Sequence, residues 1–376
     1  MPPFKRQAGL LALLLAPDLA SALLLRGPGL DTAAIARRRF AGASSAHALR
    51  GLATMSGTGG APFNSMWHRS MIRVKDPKTS VQHYEKNYGM KLVDVYHFPS
   101  LGRSNYYLAT LQQGETCPEP GTPEAHDYLF RMGHACVELQ HQHGSEEDAS
   151  VRYSSGNDEP KRGFGHLAFL TPDVYAACTD LEKEGVSFKK KPDEGRMKGL
   201  AFAYDPDGYW LEIVPRDEGA THPERYNLGQ TMIRIKDPEK SLAFYQSLGM
   251  TLLCKKHFSD FSLYFLQSLP PGEKPPGNDE EGYTFMKQAW APVLELTHNH
   301  GTESDASFSY HDGNTEPEGF GHVGFLVDDL EGASAMLRAN GAEELQEPEA
   351  FAGKLARFRD PDGYHVQLAQ RGVTLA

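Results

Sequence analysis

The 376-residue chain has four cysteines, Cys117, Cys136, Cys178 and Cys254, and no CxxC pair. Neither a disulfide framework nor a Cys-rich zinc site is compatible with that spacing. Positive charge is also scarce: 38 Lys and Arg face 49 Asp and Glu, a formal net of −11. This excludes a protein built to lie on nucleic-acid phosphates or anionic lipid, and any anionic ligand needs local basic groups. Long apolar runs are missing. The best candidate, Ala8 to Ala16, is broken by Pro17 and Asp18 and resumes from Leu19 to Leu25, each piece too short to span a bilayer. With 40% hydrophobic and 23% charged residues, and Gly and Pro scattered without period, the chain reads as soluble and globular.

The basic residues are unevenly spread. Residues 1–60 hold seven Lys and Arg against Asp18 and Asp31, a local excess of five, so the remaining chain carries −16. This Ala/Leu/Ser-rich leader is expected to be an address rather than part of the fold. It reads as a transit peptide for plastid or mitochondrion, or as a secretory segment followed by a transit segment. Met55 offers a start for a shorter cytoplasmic form.

What fills the rest is a repeat. MIRVKDPKTSVQHYEKNYGM at 71–90 matches MIRIKDPEKSLAFYQSLGM at 232–250. VELQHQHG (137–144), GFGHLAFL (163–170) and DPDGYWLEI (205–213) return in the same order as LELTHNHG (294–301), GFGHVGFL (319–326) and DPDGYHVQL (360–368). The near-constant offset predicts one domain written twice, over 65–216 and 228–372, joined by a polar linker at 217–227. Within each copy, strand-like alternation, a helix-spaced set such as Leu242, Tyr245 and Leu248, and further strands occur twice. The expected fold class is α+β, with four βαβββ-like units in curved, mostly antiparallel sheets whose concave faces must be filled.

Strand alternation selects the chemistry-bearing residues. Gln230, Met232 and Arg234 share a face, as do Glu295, Thr297 and Asn299, which puts His298 and His300 opposite. The HNH and HQH triplets are therefore expected to be surface or loop histidines. His166 and Glu212 lie on strands in the second half of copy one. One His, two carboxylates and one amide suit zinc or another divalent ion acting as a Lewis acid.

These motifs, in this order and twice over, resemble those of the glyoxalase I family, in its fused two-domain form, within the glyoxalase/bleomycin-resistance/vicinal-oxygen-chelate superfamily. The resemblance covers about residues 65–370. It implies a metal site of Gln230 and Glu295 from copy two with His166 and Glu212 from copy one. It places glutathione on Arg234, Asn299, Arg162, Lys190 and Arg196, the last standing where Lys is usual. Two carboxylates on that ligand call for such charge-assisted hydrogen bonds. Met197, Leu200, Phe202, Phe258, Leu263 and Phe265 are expected around the acyl group, or otherwise as ordinary core.

The corresponding second set is Arg69 and Glu138 with His322 and Gln367. Arg cannot ligate a cation, and Gln replaces the proton-moving Glu. His68, next to the ligand position, faces away unless the strand bulges. The anion anchors fail too: Glu318, Gln142, Leu345 and Phe351 stand for Arg162, Asn299, Lys190 and Arg196. One working and one degenerate site are expected.

The resemblance implies a proton shift from C1 to C2 of the methylglyoxal–glutathione hemithioacetal, giving S-lactoylglutathione. Glu212 is the expected base and acid, and Glu295 either shares the transfer on the other face or is simply a ligand. Zinc is expected because the long Gly114–His126 loop and the N-terminal extension are similar to those of the longer, zinc-type members of that family, with nickel or cobalt as the alternatives. The competing readings are a non-catalytic binding module and a metal-dependent dioxygenase. Because each site draws on both copies, a monomer is expected, with no nucleic-acid partner and no stable membrane anchor.

Overall fold

In a computed structural model of the chain, residues 61–195 and 197–375 are described. The expected leader 1–60 and Arg196 lie outside them. No helix among the described residues is long and apolar enough to cross a membrane.

Four βαβββ units follow one another. The first runs β1 (Met66–Val74), α1 (Pro77–Tyr88), β2 (Lys91–Phe98), β3 (Arg103–Ala109), α2 (Pro123–Leu129) and β4 (Cys136–Gln142). The second is β5 (Phe164–Thr171), α3 (Val174–Lys183), β6 (Phe188–Lys190), β7 (Ala201–Tyr204) and β8 (Trp210–Pro215). Next come β9 (Asn227–Ile235), α4 (Pro238–Ser247), β10 (Thr251–His257), β11 (Phe261–Gln267), α5 (Asp279–Gln288) and β12 (Val293–Asn299). The last is β13 (Phe320–Val327), α6 (Leu330–Ala339), β14 (Glu344–Leu345), β15 (Leu355–Arg359) and β16 (His365–Gln370).

The Asp-Pro pairs of the repeat explain the strand-to-helix switches. Asp76 and Asp237 accept backbone N–H bonds one turn ahead, and the following Pro sits where a helix has no N–H to lose. The loop Gly114–His126 is partly helical, because Thr122 caps α2 by accepting from the Ala125 N–H.

The units pair across the copies. One eight-stranded sheet runs β14-β15-β16-β13-β1-β4-β3-β2, and the other β10-β11-β12-β9-β5-β8-β7-β6. Each sheet thus takes one unit from each copy, joined at its centre by an antiparallel pair, β1 with β13 or β5 with β9. Those central strands β5 and β13 are buried along their whole length, which explains the continuous apolar runs after GFGH. The first glycine of that motif is required: a Cβ on Gly163 would meet the His311 carbonyl at 1.9 Å, and one on Gly319 the Ser154 carbonyl at 2.1 Å.

A single apolar cluster joins residues of both sheets with those of α1, α3, α4 and α6, including the stacked Phe164 and Phe320 rings, 4.8 Å apart. The DPDG turns fasten α1 and α4 to the unit that follows each of them. The Tyr84 hydroxyl donates to Asp205 at 3.0 Å and the Lys75 N–H to Asp207; Tyr245 and Lys236 repeat this with Asp360 and Asp362. Removing a buried donor leaves a carboxylate short of a partner. Tyr84→Phe and Tyr245→Phe are each expected to cost about 2 kcal/mol. The check is a urea midpoint shift at constant slope.

Candidate metal centre and its degenerate counterpart

Each sheet carries a cleft on the face away from the shared cluster. In the sheet joined by β5 and β9, β9 and β12 present Gln230 and Glu295, and β5 and β8 present His166 and Glu212, all with 4–7% of their surface exposed. These are the four residues expected together, and the structure brings them together. Gln230 Nε2 stands 3.1 Å from His166 Nε2, and it donates to Glu212 at 2.7 Å and to Glu295 at 2.9 Å. His166 Nε2 is 3.2 Å from Glu212 and 3.8 Å from Glu295. One NH2 group has two protons for those three acceptors. Turning the amide by half a revolution presents its oxygen instead, so that four acceptors face one point.

His166, Glu212 and Glu295 offer ligand atoms within 4.8 Å of one another. The donor set, one imidazole nitrogen, two carboxylates and an amide carbonyl, fits a divalent cation of hard or borderline character. Burial raises the Glu295 carboxyl, His166 pulls it back and Glu212 raises it again, leaving it at about 7. Two carboxylates are therefore held where the protein itself provides little positive charge.

The flanks of this Gln230 cleft follow from strand register. Phe202 lies beside Glu212 and Phe265 beside Glu295, with Leu263 two residues along, so all three share the ligand face. Phe202 meets the His166 ring edge-on at 5.4 Å, and Leu200 is buried on the same side. Phe258 stacks on Phe261 at the β10–β11 turn, and Met197 is half-buried.

The basic residues divide by environment. Arg234 is 2% exposed and donates to the carbonyls of Gly156, Gly163 and Phe164 and to Asn157. It is the pillar beneath the loop that carries Arg162, whose buried Nε has no hydrogen-bond partner among the described residues. Lys190 donates to the Leu200 carbonyl at 2.7 Å, and burial lowers its pKa. Asn299 donates to the Tyr310 hydroxyl.

Two further residues belong to this cleft and escaped the sequence reading. Lys256, across from Leu263, stands over the Tyr283 ring at 2.9 Å from its centroid. Burial lowers Lys256 to about 8, while burial and the nearby Glu212 raise Tyr283 to about 12. Tyr283 is on α5, far from any quoted motif; its spacing with Met286 and Lys287 was the one available signal.

The HNH and HQH histidines do point away from the carboxylates; His143 and His300 are exposed in turns, as expected, whereas His141 and His298 are buried. His141 and His298 are 6% and 7% exposed and pair with Glu146 and Glu303 at 2.7 and 2.8 Å. His143 and His300 bond to Ser104 and Ser262. The inner histidine of each triplet is thus buried with a partner, while the outer one meets solvent.

In the Arg69 cleft of the other sheet the chain has provided its own cation. Arg69, 1% exposed, donates through Nε to Glu138 at 2.9 Å and through NH2 to Gln367, with His322 3.3 Å from Glu138. Asn105 donates to the other Glu138 oxygen at 2.6 Å. β1 is irregular between Trp67 and Arg69, yet His68 turns to the Leu129 carbonyl rather than to the carboxylate. Burial raises Glu138, but His322, Arg69 and Arg103 outweigh it and hold the group at about 2. Equivalent carboxylates thus sit near 7 and near 2: each faces a histidine, but Glu295 also faces Glu212, whereas Glu138 faces Arg69 and Arg103.

Comparisons with known proteins agree with this geometry. Residues 67–213 and 227–368 each match the model of the Glyoxalase/Bleomycin resistance protein/Dioxygenase superfamily. The chain is 38% identical over 319 residues to a glyoxalase I of Saccharomyces cerevisiae, covering 81% of this chain and 92% of that protein. It is 37% identical over 312 residues to a lactoylglutathione lyase of Schizosaccharomyces pombe, covering 81% and 96%. The crystal structure of glyoxalase I from Zea mays superposes with a TM-score of 0.59 at 26% identity, over 82% of this chain and 92% of that one. The fold and site define a two-domain member of the vicinal-oxygen-chelate superfamily. Within it, the chain belongs to the glyoxalase I (lactoylglutathione lyase) family.

Removing the Glu138 charge strands a buried guanidinium. Glu138→Gln is expected to cost about 3 kcal/mol of stability at pH 7. The folded pKa of Glu138 lies below its ordinary 4.5, so this contribution is complete above pH 4.5 and fades as pH falls towards 2. Denaturant unfolding of both proteins from pH 7 to 3 checks it: a gap that stays constant down to pH 3 contradicts the assignment.

Proposed function

We propose that this chain is a lactoylglutathione lyase that isomerises the hemithioacetal of methylglyoxal and glutathione to S-lactoylglutathione, at one centre per chain. The observation that carries the reading is the contrast between two equivalent clefts. In one, Gln230, Glu295, His166 and Glu212 converge with no cation of the chain among them. In the other, the same four positions close around Arg69. The yeast relatives that cover most of the chain bear the names of this activity.

Zinc is the first choice for the ion, and nickel or cobalt suit the same donors. A divalent cation bound there supplies Lewis-acid stabilisation to substrate oxygens as they take up negative charge. The chain does the rest. Glu212 takes the proton from C1 and returns it at C2, which requires a carboxylate in a water-poor place, and it is 6% exposed. Glu295 flanks the same point from β12 and shares the transfer. Gln230 is neutral, adding a ligand without adding charge. Phe202, Leu263 and Phe265 exclude water around the acyl group. Arg162, Lys190, Arg196 and Asn299 meet the carboxylates and amides of glutathione, with Arg234 holding the Arg162 loop in place.

A dioxygenase of the superfamily calls for two His and one carboxylate around iron, and this cluster has one His. Since both halves of each cleft lie in one chain, the protein acts as a monomer. Residues 1–60 serve as a plastid or mitochondrial address.

Glu212→Gln is expected to lower kcat by 10²- to 10⁴-fold, while Glu138→Gln leaves turnover of the folded protein unchanged. Metal analysis should find about one divalent ion per chain. No ion, or iron accompanied by oxygen uptake, contradicts the reading. So does turnover lost in Glu138→Gln and kept in Glu212→Gln.

A further inference from the structure

The Arg69 cleft is not merely a closed copy of the other. Most of its space is filled by an apolar cluster that includes Tyr96, Phe98, Tyr107, Phe130 and Phe351, larger than the corresponding cluster of the Gln230 cleft. Phe98 and Phe351 meet edge-on at 5.0 Å. What is left is a cavity of about 40 Å³. One water needs some 10–15 Å³, so there is room for roughly three water-sized groups and none for a tripeptide conjugate.

The wall of that cavity has changed sign and polarity, position by position. Strand register makes the replacements explicit. Beside the fourth ligand position, Phe202 pairs with Glu212 whereas Arg357 pairs with Gln367. Beside the histidine, Trp210 pairs with His166 whereas His365 pairs with His322. On the opposite wing, Phe265, Leu263 and Phe261 pair with Glu295, Thr297 and Asn299, whereas Tyr107, Asn105 and Arg103 pair with Glu138, Gln140 and Gln142. Four apolar side chains have become two guanidiniums, an imidazole and an amide.

Arg103 is the group left over. Arg69 is matched by Glu138, Arg357 by Glu347 at 2.7 Å, and Arg73 by Asn314, three carbonyls and, at 3.6 Å, Glu318. The Arg103 guanidinium lines the cavity, lies over the Phe351 ring, and has no hydrogen-bond partner among the described residues, its Nε being fully buried. Arg103 is half-buried, and its enclosed Nε–H has no acceptor, so the guanidinium is an open half of a charge-assisted pair. The Glu138 carboxylate on the same wall is already taken by Arg69 and Asn105.

We propose that the Arg69 cleft is a binding site for a small oxyanion, a short carboxylate or phosphate, seated on Arg103 with the free edge of Arg357 beside it. Replacing the metal by Arg69 and the apolar wall by Arg103, Asn105, Arg357 and His365 has turned a cation site into an anion site. The proposal stands apart from the lyase reading, since it uses no residue of the Gln230 cleft.

The test is calorimetric titration of the full chain, at constant ionic strength, with sodium phosphate and separately with sodium formate. One saturating site is expected for at least one of the two, and which of them binds identifies the ligand as phosphate or carboxylate. Arg103→Met should weaken it at least tenfold, with lyase turnover retained; Arg103→Gln is the second variant should the first not fold. Arg162→Ala, on the other cleft, should leave the affinity unchanged. Binding of neither anion, equal binding by the Arg103 variants, or a loss that follows Arg162→Ala would overturn the proposal.

Discussion

A carboxylate buried on the face of a sheet needs a positive charge beside it, and the two clefts meet that requirement in different ways. Where β9 offers Gln230, the charge has to come from outside, and Glu295 rests at about 7. Where β1 offers Arg69, the charge is covalently part of the chain, and Glu138 rests at about 2. Everything else about the clefts follows from this choice. With a guanidinium at its centre, the Arg69 cleft has no use for a proton-moving Glu, and Gln367 accepts a hydrogen bond instead. With that centre settled, aromatic side chains can fill the space above it.

The scaffold is indifferent to the difference. Arg73 and Arg234 make the same contacts in both copies, each donating to three carbonyls and one Asn of the loop before the GFGH strand. Tyr84 and Tyr245 grip equivalent Asp-Pro-Asp-Gly turns. Residues that build the frame have stayed paired across the repeat. In the clefts His166 and Glu295 are repeated as His322 and Glu138, while Gln230 and Glu212 have become Arg69 and Gln367, so the disagreement on a shared face marks where the chemistry of the two clefts parts.

Much of this was legible in the sequence because it is written locally. Asp-Pro helix starts, strand alternation and near-constant repeat offsets identify the four units and put Gln230, Glu295, His166 and Glu212 on facing surfaces. What was not legible depends on three-dimensional neighbours. Alternation turned His141 and His298 away from the metal face but could not reveal Glu146 and Glu303 waiting there. Lys256 and Tyr283 meet across β10 and α5, and no periodicity links a strand residue to a helix so far along the chain. The resemblance placed Arg234 among the glutathione positions; that it is buried and also holds the loop beneath Arg162 through carbonyl acceptors depends on the packing.

The pairing of units across copies also nests one sheet inside the other. All strands of the sheet with the Gln230 cleft come from the continuous stretch between β5 and β12, whereas the other sheet needs β1–β4 and β13–β16 from opposite ends. A ribosome has therefore released every strand of the catalytic sheet about 70 residues before the last strand of its counterpart emerges. The first unit must wait, its β1 edge unpaired, through the synthesis of the whole inner stretch, and the closing loop is the longest in the molecule. Translation order thus places the chemistry in the part of the chain that can assemble first, and leaves the Arg69 cleft as the clasp that shuts last.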